Sequence, residues 1–176
     1  MNDQIINEQL VVFLLDSEEY GVAIGEVHEV IPTPKITPVP NSPAFILGVI
    51  NLRGKIVPVL DIEKRFNLIR EKNVMPEHCI VTQDEHGMPF CIQVDRVTEV
   101  LRIAKSDIQP TPKMVTSKIS VEYLQGVIVM KSKNNQEGSE RILLVLNIKK
   151  VVEEHVLEQV NNIVNSNSTE GGAQAL

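Results

Sequence analysis

Apolar positions along this chain fall into short β-branched or alternating runs separated by turn signals, with one helical exception near the C-terminus. Residues 10–15 read as a strand, 16–19 as an acidic turn, and 20–24 as the returning partner. Val27, Val30 and Ile31 continue in extended form, with His28 and Glu29 between them. Pro32, Pro34, Pro38, Pro40 and Pro43 then punctuate a crossing that neither a regular helix nor a central strand tolerates. Residues 42–46 read as a single helical turn, with Ser42 as N-cap and Pro43 at the first position. The strongest strand signal follows. Val49, Ile50 and Leu52 lead into Arg53-Gly54, and a second run spans 56–62, which predicts a hairpin. Pro58 lacks a ladder donor, so the second strand is expected at an edge or bulged. A short helical turn is expected over 63–67.

Beyond a charged bridge at 69–77 the pattern starts again. Ile80-Val81-Thr82, a turn at 84–87 and the run 90–94 repeat the first hairpin. Val97-Thr98-Glu99-Val100 repeats Val27-His28-Glu29-Val30, and Pro110 and Pro112 echo the proline crossing. Gly126-Val127-Ile128 answers Gly48-Val49-Ile50, and 142–148 answers 56–62. Matched features in the same order signal a duplicated unit. Each copy offers about five short strands, which suits a small closed barrel without exposed edges. Barrels of this size are marginal alone, so the two are expected to share apolar surface. The copies span about 9–68 and 78–152, with exchange of strands between them left open. The fold class is therefore all-β: two five-stranded barrels around a common core, with short helical turns. Ile148, Val151, Val152, Val156, Val160, Ile163 and Val164 recur at helical spacing, giving an amphipathic C-terminal helix over 153–164. Residues 165–176 are rich in Ser, Gly, Asn and Ala and read as a disordered tail.

Composition narrows the functional classes. Val and Ile together outnumber Leu about threefold, which favours strands. Aromatics are 3% with no Trp, and the formal net charge is −6; stacking platforms and basic footprints for nucleic acid are both missing. No run approaches the length of a membrane span and the N-terminus lacks a signal-peptide pattern, so a soluble cytoplasmic protein is expected. The four histidines are scattered, with no nucleophilic triad and no phosphate-binding loop, so an enzyme is not expected. Asp61 stands at a strand end, but its counterpart is Asn147, which suggests a capping role. Cys79 and Cys91 lie near His78 and His86 without metal-ligand spacing, so buried thiols beside surface histidines are expected, with no metal and no cofactor.

Arg53 at its turn is either a clamp on backbone carbonyls or an exposed recognition group. The second copy has a long polar loop, 131–140, where the first has Arg53-Gly54. A barrel clamp should be needed twice, so this difference favours recognition.

Asn51-Leu52-Arg53-Gly54 followed by Ile56-Val57-Pro58-Val59-Leu60-Asp61 resembles the signature of the CheW family. Tyr20-Gly21-Val22, Val27-x-Glu29-Val30, Pro43-Ala44-Phe45-Ile46-x-Gly48-Val49 and Glu122-Tyr123-Leu124-x-Gly126 are similar to it as well, over about residues 9–152. The resemblance implies two SH3-like barrels and a non-enzymatic adaptor. Such an adaptor couples the cytoplasmic tips of methyl-accepting chemotaxis receptors to the regulatory domain of the histidine kinase CheA, at membrane-associated arrays. It makes Val27, Glu29, Gly48, Arg53 and Val100 the receptor-binding positions. Arg53 would hydrogen-bond carbonyls or a carboxylate, Glu29 would pair with a basic residue, and Val27 and Val100 would pack. The alternatives are ordinary barrel core for the two valines and a close backbone approach for Gly48. Where the family often carries an acidic–aromatic pair, this chain has Lys113-Met114, so a kinase contact there is implied by position alone. A similar adaptor serving a non-flagellar system, such as twitching motility, is the alternative function.

Overall fold

A computed structural model of the protein describes residues 7–113, 119–132 and 138–171. The strands are β1 (Asn7–Leu15), β2 (Glu18–Ala23), β3 (Glu29–Pro32), β4 (Ile46–Leu52), β5 (Lys55–Asp61), β6 (His78–Gln83), β7 (Pro89–Val94), β8 (Arg96–Ala104), β9 (Leu124–Lys131) and β10 (Glu140–Leu146). The helices are α1 (Ile62–Arg65) and α2 (Glu154–Gly171), with 3-10 turns at Ile24–Glu26, Lys105–Asp107, Val121–Tyr123 and Ile148–Lys150. Asp61 caps α1 by accepting a hydrogen bond from the Lys64 N–H at 3.1 Å.

The strands form two five-stranded sheets, ordered β8-β1-β2-β10-β9 and β3-β6-β7-β5-β4. Neither sheet follows the sequence repeat. Each joins the leading hairpin of one copy to the three trailing strands of the other. Only Asp95 separates β7 from β8, and the 3-10 turn Ile24–Glu26 leads from β2 to β3, so the chain crosses between sheets at equivalent points.

Both sheets close in the same way. Thr37, downstream of β3, exchanges two 2.9 Å backbone hydrogen bonds with Val49 on β4. Gln109, downstream of β8, does the same with Val127 on β9 at 2.8 and 2.9 Å. Each bridge ties one end of the strand order to the other and closes the sheet into a barrel at that point. The glycine preceding each bridging valine permits the approach. A Cβ on Gly48 would lie 2.2 Å from the Thr37 carbonyl oxygen, and one on Gly126 2.3 Å from that of Gln109.

Pro58 corrects the edge half of its expectation, since β5 is internal, between β4 and β7, while the β4–β5 ladder does shift register nearby, between Ile46 and Gly48. Its neighbour across β4 is Val49, whose own backbone bonds go to Thr37, and the parallel ladder to β7 begins only at Val59. The missing donor therefore falls where the ladder needs none. Residues 42–46 also differ from expectation. The Ser42 hydroxyl donates back to the Val39 carbonyl at 2.8 Å, and the Ile46 N–H bonds to Pro43, forming a turn that leads directly into β4.

Among the described residues, three apolar clusters fill the molecule. Leu10, Val12, Ile103, Ile128, Leu143 and Val145 fill the barrel containing β1; Ile50, Val57, Val59, Cys79, Val81 and Cys91 fill the barrel containing β5. The largest cluster lies between the barrels and includes Phe13, Tyr20, Leu60, Ile62, Phe90, Ile92, Leu144 and Leu146. Val156, Leu157 and Val160 of α2 complete it. Arg65 anchors the approach to α2, donating to the Val151 carbonyl at 2.7 Å while its guanidinium lies 5.0 Å from both the Phe45 and Tyr123 ring centroids. The helix runs beyond the expected stop at 164, so residues 165–171 are helical. Once the packed turns around Val156–Val160 have nucleated it, each further residue adds a hydrogen bond at small cost. Ser166 also satisfies its hydroxyl on the Asn162 carbonyl at 2.7 Å.

Candidate partner-binding site

The turn between β4 and β5 places Leu52 opposite Lys55 and leaves a two-residue loop, Arg53-Gly54. Both loop residues have positive φ, 51° for Arg53 and 83° for Gly54, as the favoured hairpin turn requires. Asn51 accepts the Gly54 N–H on its side chain at 2.8 Å, fixing the loop. A non-glycine residue in this backbone region is uncommon, and such positions concentrate at functional sites.

From that loop Arg53 reaches Glu29 on β3 as a two-pronged ion pair, with Nη1–Oε1 at 2.6 Å and Nη2–Oε2 at 2.8 Å. The Arg53 side chain remains 75% exposed and that of Glu29 25% exposed. Hydrogen bonding to Arg53 holds the Glu29 carboxyl below the usual glutamate range. The two residues border an open mouth of about 500 Å³ at one end of the barrel, floored by Leu52, Val57 and Val81. Each was expected to meet its own group on a partner; in the chain by itself they hold each other. Their separation in sequence hid this contact.

The barrel containing β1 has an arginine–carboxylate cluster after all. Arg141 on β10 donates to both oxygens of Glu19, at 2.6 and 2.7 Å, and also to Glu99. Its side chain is 14% exposed. Glu99 sits opposite Val12 just as Glu29 sits opposite Val81, so the two glutamates are equivalent. Arg141 sits opposite Met130 just as Lys55 sits opposite Leu52, so Arg141 matches Lys55 and not Arg53. The absence of an Arg53 counterpart in the loop 131–140 therefore does not leave that copy without a clamp. In the barrel containing β1 the clamp comes from the strand after the turn. Extending the match of 56–62 with 142–148 one residue back pairs Lys55 with Arg141, but the carboxylates that hold Arg141 lie 122 and 42 residues away.

The remaining positions are dispersed. Val27 is half-buried and packs on the shared core, as the core alternative holds. Val100 is 51% exposed on β8 beside Val11, so it is not core. Gly48 is buried at the barrel closure. Lys113 is exposed, and Met114 lies outside the described residues. Cys79 and Cys91 face the interior of one barrel, and burial pushes their thiols up to about 11 and about 12. His78 instead accepts the Val97 N–H on Nδ1 at 3.3 Å. Among the described residues, no group of three or more His, Cys, Asp or Glu is placed to hold a metal ion.

Closed barrels, an exposed arginine on a rigid turn and mixed charged and apolar surface define a protein-binding scaffold. The CheW-like domain family matches residues 9–156, and the chain belongs to that family. It is 30% identical to the chemotaxis protein CheW of Treponema pallidum, over 88% of each chain, and 30% identical to that of Klebsiella aerogenes, over 93% of this chain and 92% of the other. The crystal structure of the scaffolding protein TtCheW from Thermoanaerobacter tengcongensis matches with a TM-score of 0.72 at 30% identity, covering 87% of this chain and 92% of that one. The protein is thus a non-enzymatic chemotaxis coupling adaptor with an SH3-like double-barrel fold. These relatives do not favour the twitching-motility alternative.

Proposed function

We propose that this adaptor bridges the cytoplasmic tips of chemoreceptors and the regulatory domain of the histidine kinase CheA, working in the cytoplasm at membrane-associated arrays. The observation that carries the receptor side is the Arg53–Glu29 pair, ordered by its turn and yet open to solvent. An exposed pair of this kind contributes little to stability, so its partners can be exchanged at small cost. A receptor carboxylate or carbonyl takes Arg53, and a basic receptor group takes the released Glu29. Val100 adds exposed apolar surface on the other barrel. Val27 and Gly48 act behind this surface, from the core shoulder and the barrel closure. Such an interface typically buries roughly 800 Å² on each partner. The kinase side is assigned to the segment at Lys113 and Met114 by position. No helix among the described residues is long and apolar enough to cross a membrane, in keeping with recruitment through receptors.

The test is a pull-down with purified CheA and with a receptor signalling-tip fragment, separately and together. Arg53→Ala should lose the receptor fragment and keep the kinase. Loss of both, or of neither, overturns the assignment of this site to the receptor.

A further inference from the structure

Equivalent ends of the two barrels are built on one pattern, and they are filled differently. In one barrel, Arg141 lies across the mouth above Leu143, held by Glu19 and Glu99. The pairing registers place Lys55, Pro89 and Glu29 at the matching positions of the other barrel. Pro89 removes one of the two carboxylates that would draw a cation inward. Lys55 is exposed, and Glu29 is taken by Arg53 from the turn. What remains is the opening of about 500 Å³ over Leu52, Val57 and Val81.

We propose that this mouth is a socket for an acidic segment of a partner protein. An apolar side chain of about leucine size enters over Val57 and Val81, and a carboxylate beside it is held by Lys55 and Arg53. The charge at the rim supports this choice. Two cations face one carboxylate that is already paired, so the mouth carries net positive charge on a chain of net charge −6. A basic segment would meet like charge there. The barrel containing β1 supplies the internal precedent: an inward position at the same mouth is closed by a side chain held in hydrogen bonds. In the barrel containing β5 that side chain comes from outside. The adaptor reading bears only on which protein donates the segment.

The experiment is methyl NMR on the full chain, titrated with N-acetyl-Glu-Leu-Glu amide and, separately, with N-acetyl-Lys-Leu-Lys amide. Saturable shifts at the Val57, Val81 and Leu52 methyls are expected with the acidic peptide, in the millimolar range for so small a ligand and at least about fivefold weaker with the basic one. The double variant Lys55→Arg with Pro89→Glu transplants Arg141 and Glu19, the filling groups of the barrel containing β1, and should abolish these shifts without lowering Tm. Lys55→Glu is the second variant, should the first not fold, and should reverse the preference between the peptides. No shift at Val57 and Val81 up to about 10 mM acidic peptide, or equal shifts with both peptides, overturns the proposal. So do shifts that survive in the folded double variant, or a preference unchanged by Lys55→Glu. Neither peptide requires a chemoreceptor, so a failed receptor pull-down and a failed titration are separate results.

Discussion

An arginine held by carboxylates behaves differently at 75% and at 14% side-chain exposure. Arg53 is solvated before and after its pair forms, so Arg53→Ala should lower Tm by less than about 2 °C while weakening receptor-fragment binding at least about tenfold. Arg141→Ala leaves Glu19 and Glu99 together at a closed barrel mouth. It should cost about 2 kcal/mol, below the range for a fully buried pair because the cluster keeps partial exposure, and this should appear as a shifted urea midpoint. Equal stability losses in the two variants would refute the distinction. Glu26 gives a prediction of the opposite sign. Its Oε2 is buried without a hydrogen-bond partner, and burial raises its pKa against the opposing charge of Lys149. The folded state thus holds this proton to higher pH than the unfolded chain. Stability falls as pH rises from the ordinary glutamate value through the raised one, and the penalty is complete above the raised one. Glu26→Gln should therefore raise Tm by about 2 °C near neutrality and leave it unchanged in acid, read from thermal melts across pH. A destabilised variant at neutral pH would show that Lys149 outweighs burial.

At the scale of elements, the barrel closures decide more than the hairpins do. Gly48→Ala and Gly126→Ala each drive a Cβ into a backbone carbonyl that is itself fixed by the bridge it makes. Each should cost about 3 kcal/mol or more in chemical denaturation, and to a similar degree. A Gly48→Ala protein of unchanged stability would remove the steric account and return this glycine to direct receptor contact. Much of this level was legible in the sequence. Hairpins, their turns, the duplicated order and the helical stripe all follow from local periodicity. What escaped were contacts set by closure. Pro58 looked like an edge residue because nothing local says that Thr37 will take the bonds of Val49. Arg141 joins Glu19 across 122 residues, so no spacing rule reaches it. The continuation of α2 through 165–171 was missed because composition ignores the nucleated turns before it.

For the whole molecule, the repeat shows which strands are alike and leaves open which strands pair. Sequence alone could identify two copies of one unit, yet each barrel draws on both, because the chain crosses over at Asp95 and at the turn after β2. The bridge between the copies is bound into this arrangement. Arg70 donates to Glu63 and Asp95 at 2.8 Å, and to the Val74 carbonyl at the same distance. Asp16 accepts the Glu71 and Lys72 N–H groups at 3.0 and 2.9 Å, and its own N–H donates to Asp95 at 2.7 Å. The bridge thus holds the β1–β2 turn, α1 and the β7–β8 crossing together. Exchange has a thermodynamic consequence. A fragment ending at Leu68 retains only the β1–β2 hairpin of one sheet and β3–β5 of the other, and a fragment starting at Glu77 retains the complements. Neither can close a barrel or cover the central cluster, so each should lack native β-sheet circular dichroism alone. Mixing should restore the native spectrum, because every missing strand is supplied by the other piece. The intact chain should melt in one calorimetric transition, with van't Hoff and calorimetric enthalpies equal, since unfolding either barrel uncovers the core that both share. Independent folding of either fragment, or two separate transitions in the intact chain, would mean that the barrels are autonomous and that the exchanged hairpins do not couple them.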